Sequence, residues 1–195
     1  VARIPYADPE TLPEAARALI HERGDLNVYR MLANARKVFT GWMIAGRQHL
    51  TSDTFAPRLR ELVILRCAYL LDAPYELAQH LSLAPRVGIG DAEIAALASE
   101  NDVGAGEFSG TETAVLQLVT EMFTAADVSD ATFAQVHEML GDEGTVELIM
   151  LAGRYAGLAL MLAVLRVDVD ADARIVVPRN TLREAELQWY TRENW

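Results

Sequence analysis

The sequence has 195 residues, 51% of them apolar, with 28 acidic against 17 basic side chains for a net charge of −11. That much apolar surface can offset the entropy of ordering the chain, which sets a disordered protein aside. An acidic surface repels phosphate backbones and anionic lipid heads, so neither nucleic acid nor membrane is expected as a partner.

The first expected element is a helix over 11–23: Leu12, Ala16, Leu19 and Ile20 share a face, Pro13 suits the first turn and Gly24 stops it. Helices are expected next over 26–34 and 35–50, the latter with Val38, Trp42, Ala45 and His49 on one stripe. Thr51, Ser52 and Asp53 form a polar break. Pro57 then opens a helix to residue 71 that is apolar nearly all round, the pattern of a central helix. It holds Cys67, the only cysteine, so no intrachain disulfide forms, in keeping with a reducing, cytoplasmic setting.

Pro74 suits the first turn of a helix over 75–83, Gly90-Asp91 caps a short one over 92–97, and 100–110 reads as a glycine-bearing loop. Three more helices are expected over 111–125, 129–140 and 143–165, the last with an apolar stripe through Leu148, Leu151, Ala152, Tyr155, Leu158 and Leu162. Residues 148–167 are apolar enough to raise a membrane-spanning flag. Arg154, Tyr155, Arg166 and the acidic run that follows favour burial by the fold or by an oligomer instead. Gly153 and Gly157 allow a neighbouring helix to come close. The chain divides into a helical domain over 1–172 and a tail over 173–195, whose Trp189, Tyr190 and Trp195 are expected to dock on the domain or on a neighbouring subunit. No segment sustains a strand pattern, so the fold class is all-α.

Glu76 and His80 stand four apart on one expected helix and so share a face. A carboxylate and an imidazole at that spacing can share a proton, hold a metal or satisfy each other. Glu61 sits in the most apolar helix, where a carboxylate is costly unless paired. It is either half of a structural ion pair with an arginine such as Arg58 or Arg66, or an acid/base group tuned by burial. Trp42 can wall a pocket or fill the core, and His49 on the same stripe can belong to a site or to the surface. Cys67, in mid-helix, reads as core packing.

Glu61, Ala73, Glu76 and His80 fall at the spacing E-x11-C-x2-C-x3-H. Together with the runs PRLRELVILR at 57–66 and YELAQH at 75–80, then Val87-Gly88-Ile89 and Asp91-Ala92-Glu93-Ile94, they make the sequence resemble the carboxymuconolactone decarboxylase and alkylhydroperoxidase D family. The resemblance is good over 57–97 and weaker over 35–50 and 111–165. It implies an alkylhydroperoxidase D-like helical bundle. Ala73 and Glu76 occupy the places of the family's redox cysteines, so a peroxide-reducing cycle would lack both its thiolate attacker and its resolving thiol.

What the resemblance then implies is a cofactor-independent lyase of the decarboxylase type, acting on a small oxygenated carboxylic acid or lactone. His80 and Glu76 would transfer the proton, and Glu61 would orient His80 or act as a second acid/base group. Arg47, Arg58 or Arg66 would hold an anionic group, Tyr75 would donate to an oxyanion, and Trp42 and His49 would lie near the site. A hydrolase, hydratase or isomerase of a strained ring could use the same Glu/His set. A non-catalytic small-molecule-binding or scaffold protein is the other alternative. Neither a metal nor a cofactor is expected, and the resemblance implies a homo-oligomer, a trimer or hexamer.

Overall fold

The computed structural model describes residues 1–99, 103, 107–125 and 127–171, and all regular structure among them is helical. The helices are α1 (Glu14–Glu22), α2 (Asn27–Leu32), α3 (Phe39–Thr51), α4 (Pro57–Leu70), α5 (Pro74–His80), α6 (Asp91–Leu97), α7 (Gly110–Thr124) and α8 (Asp130–Leu165). Short 3-10 turns lie at Pro9–Thr11 and Ala84–Val87. The expected tail over 173–195, and residues 100–102 and 104–106 of the expected loop, lie outside the described residues.

Helix α4 is the hub, as its all-round apolarity requires. Val63, Ile64 and Cys67 face one core with Val115, Leu118 and Val119 of α7 and Leu148, Leu151 and Tyr155 of α8. Leu62 and Leu65 face a second core with Ala84, Ile89, Leu97 and Leu116. Each fully buried aliphatic side chain contributes about 1.5–3 kcal/mol, which anchors α4 against every neighbour.

Local chemistry sets the helix ends. Ser109 caps α7 in a reciprocal box with Glu112: Ser109 Oγ accepts from Glu112 N at 3.3 Å, and Glu112 Oε2 from Ser109 N at 2.8 Å. Helix α3 starts at Phe39, four residues later than its stripe suggests. Upstream of it Asn34 donates to the carbonyls of Pro5 (3.0 Å) and Met31 (3.1 Å), which holds the chain in a turn. The two helices expected over 129–140 and 143–165 run on as α8, broken at Gly141, whose φ of 65° and ψ of −174° suit glycine.

One face of α8 is buried, through Leu148, Leu151, Ala152, Tyr155, Ala159 and Leu162. The opposite face is not: Val146, Met150, Leu160 and Val164 are 56–63% exposed. By length and composition alone α8 could cross a membrane, and a third of its most apolar window (33%) is buried. Burial by the described residues therefore accounts for only one side of this helix.

Candidate functional site

The site begins with a carboxylate on the second turn of α4. Between α4 and α5 the chain reverses at Asp72, which adopts a left-handed φ of 47°. That reversal lays α5 back on α4 and brings His80, its last residue, to Glu61. His80 Nδ1 lies 2.7 Å from Glu61 Oε2, and each residue is 5% exposed. With Nδ1–H donating to the carboxylate, Nε2 is left as the working nitrogen. The Tyr155 ring of α8 packs edge-on against the imidazole, with centroids 5.3 Å apart and planes at 81°. The alternative sequence reading, in which Glu61 pairs with Arg58 or Arg66, is not what the fold builds: the ion pair of Glu61 is with His80.

Glu76 lies one turn before His80 on α5. It is 2% exposed, and neither carboxylate oxygen has a hydrogen-bond partner among the described residues. Burial pushes its pKa up to about 8, so at neutral pH the group is mostly a neutral acid, able to donate. Burial, and then the negative charges of Glu61 and Glu76, push the Tyr155 phenol up. Cys67 is fully buried, and burial followed by Glu76 raises its thiol, so no thiolate is available there. Ala73, at the other motif position, is a buried residue at the start of α5.

Several other expected site residues are committed elsewhere. Tyr75 accepts from Val28 N at 3.2 Å and donates to the Asp170 carboxylate, tying α5 to α2 and to the chain after α8. That correction removes it as an oxyanion donor. Arg66 is fully buried and donates to Thr120 Oγ1 (3.0 Å) and to the carbonyls of Leu97 (2.7 Å) and Ser99 (2.5 Å). It pins the end of α6 to α4 and α7 rather than facing substrate. Arg47 pairs with Glu22 at 3.7 Å, and Arg58 with Glu93 and Glu112.

Trp42 lies beneath the Arg154 guanidinium, 4.1 Å from the ring centroid, and its carbonyl accepts from Arg154 at 2.9 Å. With Tyr155 it lines a small cavity of about 40 Å³ that does not include His80. His49 lines an open groove of about 570 Å³ between α3 and α8, where burial and the charge of Arg154 lower its pKa. Neither that groove nor the one of about 590 Å³ beside Trp42 includes Glu61, Glu76 or His80.

A smaller pocket, about 160 Å³, opens onto Glu61 between Leu50, Pro57, Arg60, Leu83, Arg86 and Val87, with neither Glu76 nor His80 in its lining. Sequence reasoning passed over Arg60, Arg86 and Tyr155. Arg60 and Arg86 look like ordinary surface charges, and Tyr155 belongs to an apolar stripe.

Residues 36–121 match the model of the carboxymuconolactone decarboxylase family. Among solved structures, the fold is similar to the AhpD core of an uncharacterised peroxidase-related protein from Ralstonia eutropha JMP134, with a TM-score of 0.74 at 17% identity over 88% of this chain and 94% of that one. It is also similar to a protein of unknown function from Agrobacterium tumefaciens, named as a candidate AhpD antioxidant-defence protein, with a TM-score of 0.63 at 17% identity over 72% of this chain and 96% of that one. No curated protein matches the sequence. At such identities the likeness carries the fold alone, and it bears out the all-helical, AhpD-like architecture expected from the motif.

Proposed function

We propose that this chain, whose residues 36–121 match the carboxymuconolactone decarboxylase family model, is a cofactor-independent acid/base lyase of the decarboxylase type. Its substrate is a small oxygenated carboxylic acid or lactone. The observation that carries this reading is the buried Glu61–His80 hydrogen bond with the unpartnered carboxyl of Glu76 one turn away. A scaffold would pair such carboxylates with arginines; here Glu61 holds an imidazole and Glu76 has no partner among the described residues.

Decarboxylation breaks the bond between the carboxylate carbon and its neighbour. Carbon dioxide leaves, and the electron pair stays on the neighbour as an enolate. His80, protonated at Nε2, delivers a proton to that carbon, and solvent later restores it. Glu61 fixes the imidazole and stabilises its charged form. Glu76, still protonated, donates a hydrogen bond to the enolate oxygen, a task suited to an acid kept neutral by burial.

The test is to incubate the protein in deuterated water with a panel of small lactone acids and β-keto acids. The expected result is carbon dioxide release with one solvent deuterium in each product molecule. Ring opening without carbon dioxide would replace the lyase with a hydrolase, and a silent panel would overturn catalysis of this kind.

We also propose that the exposed face of α8 pairs with a second copy of this chain. Val146, Met150, Leu160 and Val164 form an uncharged stripe about 27 Å long, and open space borders Gly153 and Gly157 between them. Apolar knobs at both ends and a glycine groove in the middle make the stripe complementary to itself, and apolar patches of this extent on a surface usually mark an interface. The family resemblance sets the expected assembly as a trimer or hexamer. Light scattering should give a multiple of 21.5 kDa, and Leu160→Glu should lower it. A wild-type mass of one chain would end the idea.

A further inference from the structure

Several arginines of this acidic chain are held by partners. Arg17 pairs with Glu10, Arg47 with Glu22, and Arg58 with Glu93 and Glu112. Arg66 is ringed by carbonyls, and Arg154 lies on Trp42. Arg60 and Arg86 form no ion pair with a described carboxylate, and both line the pocket that opens onto Glu61.

Arg60 is 7% exposed. Its Nη1 donates to Ser52 O at 3.1 Å and more weakly to His49 O at 3.5 Å, so the end of α3 fixes the guanidinium in place. Its Nε is buried with no acceptor among the described residues. Arg86, on the Ala84–Val87 turn, adds a second guanidinium to the same lining, and Leu50, Pro57, Leu83 and Val87 supply apolar wall.

The volume of about 160 Å³ is well below the ~300–1,000 Å³ typical of drug-sized ligands. Two guanidiniums are the natural receivers of a planar carboxylate, through paired N–H donors. We infer that Arg60 and Arg86 form the carboxylate-recognising end of the site and select small monocarboxylates over neutral analogues of the same shape. The inference rests on the acid/base reading of Glu61 and His80 for what then happens to the ligand, but not for its binding. The carboxylate sits at the guanidiniums and the ring or chain lies on the apolar wall.

The experiment is calorimetric titration with benzoate, using methyl benzoate as the neutral control. Wild-type protein should bind benzoate saturably and methyl benzoate at least about tenfold more weakly, the discrimination expected when a charged hydrogen bond is lost. Arg86→Met, on an exposed turn, should weaken benzoate about tenfold without changing the thermal midpoint. Arg60→Lys keeps a charge in the buried position but loses the paired donors, and should weaken benzoate similarly. His80→Ala should retain benzoate binding, which separates this inference from the acid/base reading: a protein that binds through the arginines yet turns nothing over would fail only the latter. Equal binding of benzoate and its methyl ester, no saturable benzoate binding, or unchanged affinity in both arginine variants would overturn the assignment.

Discussion

His80→Ala is expected to remove most of the turnover, a loss of about a hundredfold to ten-thousandfold, the range for deleting a general acid/base group. The helix should survive, because His80 is the last residue of α5 and alanine is the best helix former. Glu61→Gln should also cut turnover strongly. An amide still accepts a hydrogen bond from Nδ1, but it no longer stabilises an imidazolium. Glu76→Gln should cost less than Glu61→Gln, since an amide can still donate where a neutral acid did. Cys67→Ala serves as the control: its thiol is buried and raised, no step uses it, and turnover should barely change. The measurement is kcat/KM for each variant, with far-ultraviolet circular dichroism to show that the fold persists, followed by deuterium labelling of product. Equal labelling by wild type and His80→Ala would take His80 out of the chemistry and leave its contact with Glu61 as a structural pair.

The dyad was legible because it breaks local rules. A carboxylate in a helix apolar on every side demands a partner, and the motif spacing offers His80 across a short reversal. The hub role of α4 and the break at Gly141 follow from patterns a few residues long. The identity of the pocket-lining arginine was not legible. Arg58, Arg60 and Arg66 share one helix, and what separates them is chain far away in sequence: Glu93 and Glu112 capture Arg58, Leu97 O and Ser99 O capture Arg66, and Arg60 is left beside the pocket. Tyr75 was misread for the same reason, since Asp170, 95 residues later, takes its hydroxyl. The apolar stripe read along α8 did mark its buried face, since Leu148, Leu151, Ala152, Tyr155 and Leu162 are all covered, but Val146, Met150, Leu160 and Val164 on the other side are apolar too and nothing local says that they stay bare.

The stability of the wild-type protein should fall as pH rises from about 4.5 to about 8, and Glu76 is the reason. Its pKa is about 8 in the folded chain against 4.5 for a solvated glutamate. Between those values the folded chain holds a proton that the unfolded chain has released. Unfolding therefore gives off a proton, and each rise in pH favours it. The slope approaches ~1.4 kcal/mol per pH unit from this group in mid-window, so the full span amounts to several kcal/mol. That is a large part of the ~5–15 kcal/mol that holds an ordinary domain together. Below about 4.5 the carboxyl is neutral in both states and the penalty vanishes; above about 8 it is complete. The neighbouring groups whose own shifts bear on Glu76, Cys67 on α4 and Tyr155 on α8, are both pushed up and stay neutral through the window. Glu76→Gln keeps the shape of the side chain and cannot ionise. Urea unfolding of both proteins at several pH values isolates the effect, because groups common to the two cancel in the difference. The variant should match or trail the wild type near pH 5, where a neutral acid and an amide are comparable, and should be the more stable of the two by pH 8. Parallel curves across that range would mean that Glu76 is already ionised in the folded state, and would remove it as the neutral donor to the enolate.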